Sequence, residues 1–185
     1  MGRILFAIFL AAMATHAQAQ EEPSTDAPAE APVVEPPMDL ARMADILQAL
    51  DPEVQARGTA FQLTIGDVPI VIITDPVADR MRAMVPIRDA SAMTSEELMR
   101  VMQANFDTAL DARYAIAQGR LWSTFIHPLS PLKKDQLISG LGQTVNVATS
   151  YGTLYSGGAL SYGGGDSGEI QRKLIDDLLD KGKEI

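Results

Sequence analysis

Chemistry in this chain would have to come from few residues. Among 185 residues there is no cysteine and there are two histidines, His16 and His127, so the usual general bases, thiol nucleophiles and transition-metal ligands are scarce. His127 precedes Pro128 at the end of an apolar run. A lone histidine builds a common zinc site only where several carboxylates converge on it, and a polar residue closing a strand is the simpler reading. A formal G-x-G-x-x-G stands at Gly163, Gly165 and Gly168. A dinucleotide site needs a buried strand ahead of those glycines and a βαβ unit around them, whereas a Gly/Ser stretch precedes them here and Asp166 would oppose phosphate charge. Ser161 has its glycines at the wrong offsets for a lipase-type nucleophile. The 24 acidic residues leave paired carboxylates as the remaining catalytic option, but most of them fall in a linker or on helix surfaces. No catalytic, metal-binding or cofactor-binding residue is assigned. A small-molecule-binding or carboxylate-based enzyme of the cell envelope stands as the alternative to a non-enzymatic binding module.

Recognition chemistry is better represented. The stretch "ARYAIAQGRLWSTFIHPLSPL", from Ala112 to Leu132, reads as two strands folded back at Gln118-Gly119, with the sole tryptophan two residues after Arg120. A two-residue loop pairs Ala117 with Arg120, Ile116 with Leu121 and Tyr114 with Ser123, which sends Arg113, Arg120, Trp122 and Thr124 to one face. Joined to Val71, Ile73, Arg80 and Arg82, these form a basic and aromatic patch suited to a protein partner, since Trp and Arg dominate interface energetics. A three-residue bulged loop shifts the register by one and puts Trp122 in the core with Tyr114 and Ile116. Gln is not a favoured first residue of a type I′ turn and tryptophans are highly buried on average, so burial of Trp122 is the expectation and the surface patch its alternative.

The elements that would position this patch are legible from pattern and punctuation. Asp39 caps a helix whose Leu40, Met43, Ile46, Leu47 and Leu50 form one stripe, ended by Asp51-Pro52. Three strand-like runs follow, Thr59 to Ile65, Val68 to Thr74 and Arg80 to Ile87. Gly66-Asp67 has the composition of a type II′ turn, and its length pairs Ile65 with Val68, Leu63 with Ile70 and Phe61 with Ile72 on one apolar face. Met81, Ala83, Val85 and Ile87 of the third run join that face, leaving Gln62, Thr64 and Met84 on the other side. Thr94 and Glu97 form a capping box and Met93 and Leu98 a hydrophobic staple for a second helix, with Leu98, Val101, Met102, Asn105, Phe106 and Ala109 as its buried stripe. Ser130-Pro131 reads as the start of a third helix reaching about Ser150. Gly140 and Gly142 weaken that helix, which predicts close approach to the sheet. Glu96-Arg100 and Asp177-Lys181 are spaced as surface ion pairs. The fold class is α+β: an antiparallel sheet of about five strands, in the order helix-strand-strand-strand-helix-strand-strand-helix over residues 39–152. A flexible Gly-rich loop, 153–168, then precedes a C-terminal amphipathic helix, 169–185, which either packs on its own domain or reaches a second protein.

This order, with "FQLTIGDVPIVIIT" and "LMRVMQANFDTALDARYAIAQGRLWSTFIHPLSPLKKDQLISGLGQTV", including Asn105 and Gly119, resembles the YbjN family of bacterial sensory transduction regulators. That family in turn looks like the class I type III secretion chaperone fold. The resemblance implies a compact, often dimeric module that binds or regulates and carries no known chemistry.

The N-terminus states an address. In "MGRILFAIFLAAMATHAQAQ", Arg3 precedes an apolar run from Ile4 to Ala14 and an Ala17-Gln18-Ala19 cleavage pattern, the form of a secretory signal peptide cut after Ala19. A membrane span needs about 20 apolar residues, roughly twice this run, so no membrane insertion is expected after cleavage. Residues 20–38, "QEEPSTDAPAEAPVVEPPM", read as a disordered acidic Pro/Ala-rich linker. The formal charge of −9 becomes more negative when Arg3 leaves, which argues against a nucleic-acid partner. The expected protein is periplasmic or secreted, without disulfides, and recognises a protein partner or itself.

Overall fold

Asp39 caps the first helix as its side chain type requires: its carboxylate accepts from the Arg42 backbone N–H at 2.8 Å, and α1 runs Leu40–Leu50. The computed structural model describes residues 34–107, 110–152 and 169–183. The expected signal peptide, linker residues 20–33 and the loop 153–168 lie outside the described residues. The folded unit starts at Glu35 rather than Asp39. Met38 is buried and donates its N–H to Ser130 O, and Glu35 accepts from Lys134 N and from the Arg42 guanidinium, so the last residues assigned to the linker belong to the domain.

The fold is α+β, and six strands form one antiparallel sheet where about five were expected. They are β1 (Gln55–Arg57), β2 (Ala60–Ile65), β3 (Val68–Asp75), β4 (Arg80–Asp89), β5 (Arg113–Ala117) and β6 (Arg120–Pro128), in spatial order β1-β2-β3-β4-β6-β5. The added strand is β1, three exposed residues on the edge beside β2. The β2–β3 register is the predicted one, with Ile65 opposite Val68, Leu63 opposite Ile70 and Phe61 opposite Ile72. The turn between them is type I′ rather than II′: Gly66 and Asp67 both have positive φ, 54° and 67°, and Asp tolerates that region where most residues do not.

Helix α2 (Ser95–Asp107) begins with the predicted capping box, Thr94 N to Glu97 Oε2 at 2.7 Å and Glu97 N to Thr94 Oγ1 at 3.1 Å. Its buried stripe differs from the predicted one. Val101 and Ala104 are buried, whereas Met102 and Phe106, expected inside, are exposed along with Met99. Asn105 sets this roll: its amide pairs with the N–H and C=O of Tyr114 at 2.7 and 3.0 Å, closing part of the free edge of β5 as another strand would.

Helix α3 (Lys134–Thr149) starts three residues beyond the predicted Ser130-Pro131 cap. Gln136 Oε1 accepts from Lys133 N there, while Ser130 donates its N–H and hydroxyl to Asp79. Nearly every residue from Leu137 to Val147 is buried, because α3 lies between the sheet and α4 (Glu169–Gly182). The C-terminal helix therefore packs on its own domain. Two glycines permit this sandwich. A Cβ on Gly140 would stand 2.5 Å from the Phe125 ring of β6, and one on Gly142 would stand 2.8 Å from Ile175 of α4. Only Gly140 approaches the sheet, since residues two apart on a helix point in different directions. Gln143 fastens the strand entry, its Oε1 accepting from Asp111 N and Ala112 N. Asp177 pairs with Lys173 at 2.8 Å, not with Lys181.

Gly140→Ala gains about 1 kcal/mol of helix propensity against about 1–3 kcal/mol of overpacking on the buried Phe125 ring that stands where the new methyl would go. A net loss, seen as a fall in Tm, is expected. Gly142→Ala meets Ile175 Cγ1 at 2.8 Å and Leu178 Cδ1 at 3.3 Å, fewer and looser contacts than the Phe125 ring makes, and should fall less; the two melting curves decide. The Lys134 N–H at the start of α3, with Arg42 beside it, holds the Glu35 carboxyl below its ordinary value. The stability this contributes is complete above pH of about 4.3, the ordinary glutamate value, and is lost as pH falls through the lowered one. Glu35→Gln should therefore melt below the parent at pH 7, with the gap closing in acid.

Candidate functional site

Alternation along the strands divides the sheet into two unlike faces. Phe61, Leu63, Ile65, Ile70, Ile72, Met81, Ala83, Val85, Leu121 and Phe125 point inward and are buried beneath the helices. The outward face is built from cross-strand rows. One runs Arg57, Ala60, Ile73, Arg82, Ile126 across five adjacent strands. The next runs Gln55, Gln62, Val71, Met84, Thr124, Arg113 across all six. Trp122 lies beyond, between Pro86 and Ala115, and Arg80 lies between Asp75 and Pro128.

The structure places all seven residues singled out in the sequence, Val71, Ile73, Arg80, Arg82, Arg113, Arg120 and Trp122, on this outward face. The burial expected of Trp122 is not found. Gln118 and Gly119 both have positive φ, 53° and 71°, and Ala117 pairs with Arg120, so the loop has two residues and Trp122 turns outward, half-buried. Its indole N–H donates to Ala117 O at 3.0 Å, which lays the ring along β5.

The face also contains residues that were not singled out. Ile126 is 54% exposed and Ile73 is 48% exposed, and they flank Arg82 in one row. Ile126 follows Trp122 by four residues on the same strand, so the two-residue pairing that turns Trp122 and Thr124 outward reaches it when carried two residues further. Arg57 arrives on β1, for which the sequence carries no apolar alternation. Asp75, Ala78, Arg80 and Met81 join Ile73, Arg82 and Ile126 around an open cavity of about 440 Å³. Asp75 also shapes the β3–β4 turn by accepting from Val77 N and Ala78 N.

His127 alternates to the other side of β6 from Ile126, though it shares a cavity with Arg113 and Ile126 of the patch. Its Nδ1 sits 2.7 Å from its own Pro128 O and its ring stacks on Phe125. It lines a second open cavity, of about 550 Å³, with Asp111, Asp135, Gln136 and Ser139, and no hydrogen bond links it to either aspartate. Among the described residues no group of three or more histidine, aspartate or glutamate side chains comes together to hold a metal. The G-x-G-x-x-G glycines lie outside the described residues. Asp79, with positive φ of 53°, is held below the ordinary aspartate value first by the Ser130 N–H and then by its hydroxyl. Glu97 is lowered chiefly by the Thr94 N–H. Both carboxylates act in turns and caps.

The chain matches no family's sequence profile and no curated protein. Among solved structures it is similar to the Yersinia pestis type III secretion chaperone SycH, determined in complex with a stable fragment of YscM2. The identity is 14%, the TM-score 0.45, and the match covers 58% of this chain and 97% of that one.

Trp122→Ala should cost about 1–2 kcal/mol, a half-buried ring and one hydrogen bond. Leu121→Ala, one residue away on the core side, should cost about 2–5 kcal/mol. Urea unfolding followed by circular dichroism reads both, because Trp122 is the only tryptophan; equal losses would put Trp122 in the core.

Proposed function

We propose that this chain is a non-enzymatic, chaperone-like binding or regulatory module of the YbjN type, exported to the periplasm or beyond when its first 19 residues are removed. The observation that carries this reading is the outward face: Val71, Ile73, Met84, Trp122 and Ile126 form an apolar field interleaved with arginines, and no described helix covers it. Contiguous exposed apolar surface marks an interaction site, and Trp and Arg are the side chains that anchor interfaces. The partner is a protein.

A second surface favours self-association. Met99, Met102 and Phe106 lie three and four residues apart on one side of α2, at 69%, 64% and 78% exposure. The charged residues beside them, Glu96 and Arg100, pair with one another at 3.6 Å, so the patch presents no net charge to repel its own image. A two-fold dimer needs such a self-complementary surface.

Light scattering on the mature chain should show a dimer whose population grows with concentration, and Met102→Glu with Phe106→Glu should return it to monomer with the Tm that the parent has at dilutions where it is itself monomeric. Cross-linking in periplasmic extract should trap a partner that Trp122→Ala releases. A protein that stays monomeric at every concentration and cross-links to nothing would overturn the binding reading.

A further inference from the structure

The outward face is basic on an acidic protein. Arg57, Arg80, Arg82, Arg113 and Arg120 all project from it by strand alternation, while the whole chain carries a formal charge of −9. Ion pairs elsewhere engage Arg42, Arg88, Arg100, Lys173 and Lys183. Among the described residues none of the five outward arginines is in an ion pair. Arg57 reaches only Gln55 Oε1, at 3.5 Å, and Arg113 only its neighbouring carbonyl, Ala112 O, at 2.9 Å. Two carboxylates share the face, Asp75 opposite Arg80 and Asp89 opposite Arg120, and both are engaged in turns by backbone N–H groups. Arg80 and Arg120 also lie near enough to Asp79 and Asp89 to help lower those carboxyls, which leaves Arg57, Arg82 and Arg113 as the guanidinium groups with no carboxylate opposite them in the sheet.

We infer that the outward face recognises an acidic polypeptide segment in extended conformation, with glutamate or aspartate alternating with aliphatic side chains. This rests on the proposed binding function and names its partner's chemistry. Charge complementarity supplies the first argument: guanidinium groups pair with carboxylates in a planar, two-pronged geometry, and the local arginines govern contact because the chain's other charges are screened beyond about 8 Å at physiological salt. Geometry supplies the second. Arg80, Arg82 and Met84 follow one another at every second residue of β4, about 7 Å apart, the same interval as the alternate side chains of an extended segment laid along that strand. The cavity between Ile73 and Ile126 can take an aliphatic side chain on one side of Arg82.

An anionic membrane offers the same charge and fits less well. Surface-bound proteins insert apolar side chains about 5–10 Å into the headgroup region, whereas Trp122 is half-buried with its N–H held by Ala117 O.

Trp122 makes the test direct, since it is the sole tryptophan and sits on the face. Three synthetic peptides of about a dozen residues, alternating valine with glutamate, glutamine or lysine, would be titrated into the full mature chain while its tryptophan emission is followed. The glutamate peptide should shift the emission and bind at least about tenfold tighter than the glutamine peptide, the loss expected when charge pairs are removed. Arg82→Glu should remove most of the preference for the glutamate peptide at an unchanged Tm, and Arg82→Lys should keep it; an undiminished preference in Arg82→Glu would overturn the inference. Equal binding of the glutamate and glutamine peptides would overturn the charge inference and leave the protein-binding function intact. Binding of none of the three would also overturn it, and a cross-linked partner released by Trp122→Ala would then be what sustains the function. Tryptophan shifts with vesicles of phosphatidylcholine and about 30% phosphatidylglycerol, and not with peptides, would overturn both in favour of a lipid surface.

Discussion

The two residues Gln118 and Gly119 decide which side chains of the last hairpin meet the core. A residue other than glycine in the left-handed region costs about 1 kcal/mol, and Gln118 stands there at φ 53°. Two contacts hold the turn in that state. The Trp122 indole donates to Ala117 O just before the turn, and Ala90 donates its N–H to Gly119 O at 2.8 Å, tying the turn to the end of β4. With the parity fixed, Tyr114, Leu121, Ser123 and Phe125 fall inward and Arg113, Arg120, Trp122 and Ile126 outward. A change of one residue would turn β6 over relative to β5, bringing Trp122 and Ile126 inward beside Tyr114 and sending Leu121, Ser123 and Phe125 out of the core.

The inward side chains of the last hairpin then converge on α3. Phe125 meets Gly140, Tyr114 donates its hydroxyl to Val147 O at 2.8 Å, and Gln143 secures the chain entering β5. On the other side of α3, Ile175 and Leu178 of α4 close over Gly142. A helix buried on two faces needs small residues at its closest approaches and bonded polar groups where it is enclosed. Gly140 and Gly142 serve the first need, Gln143 and Thr144 the second, with Thr144 Oγ1 donating to Gly140 O at 2.7 Å. All the described helical cover goes to one side of the sheet.

What could be read in advance follows from how local each signal is. The β2–β3 register needed only a loop of two residues and an apolar alternation, and the capping box of α2 needed only Thr94 and Glu97, so both were legible. The sense of the first turn was not, because glycine fits type I′ and II′ alike and Asp67 decided between them. β1 carries no apolar pattern; its place comes from pairing with β2. The roll of α2 was set by Asn105 reaching Tyr114, a contact that no period within the helix encodes, and so Met102 and Phe106 were expected inside. For the last hairpin, Gln118 argued against the two-residue loop, while the indole bond and the Ala90 contact that hold it were invisible until the strands were paired.

A sheet covered on one side only has a physical consequence for its other side. Antiparallel sheets can leave a face to water when that face is polar, and a fully solvated face would be expected to carry threonine, lysine and glutamate. This one carries Val71, Ile73, Met84, Trp122 and Ile126 beside arginine, the cation whose planar group is weakly hydrated and stacks on apolar neighbours. Lysine is absent from the strands, although it is a residue that exposed sheet surfaces use to discourage association. The short strand β1 forms one edge and the Asn105 amide, reaching from α2, bonds Tyr114 at the other, so both edges offer little for another strand to pair with. The sheet's open face has no such protection, and the choice of arginine over lysine there favours contact over solvation.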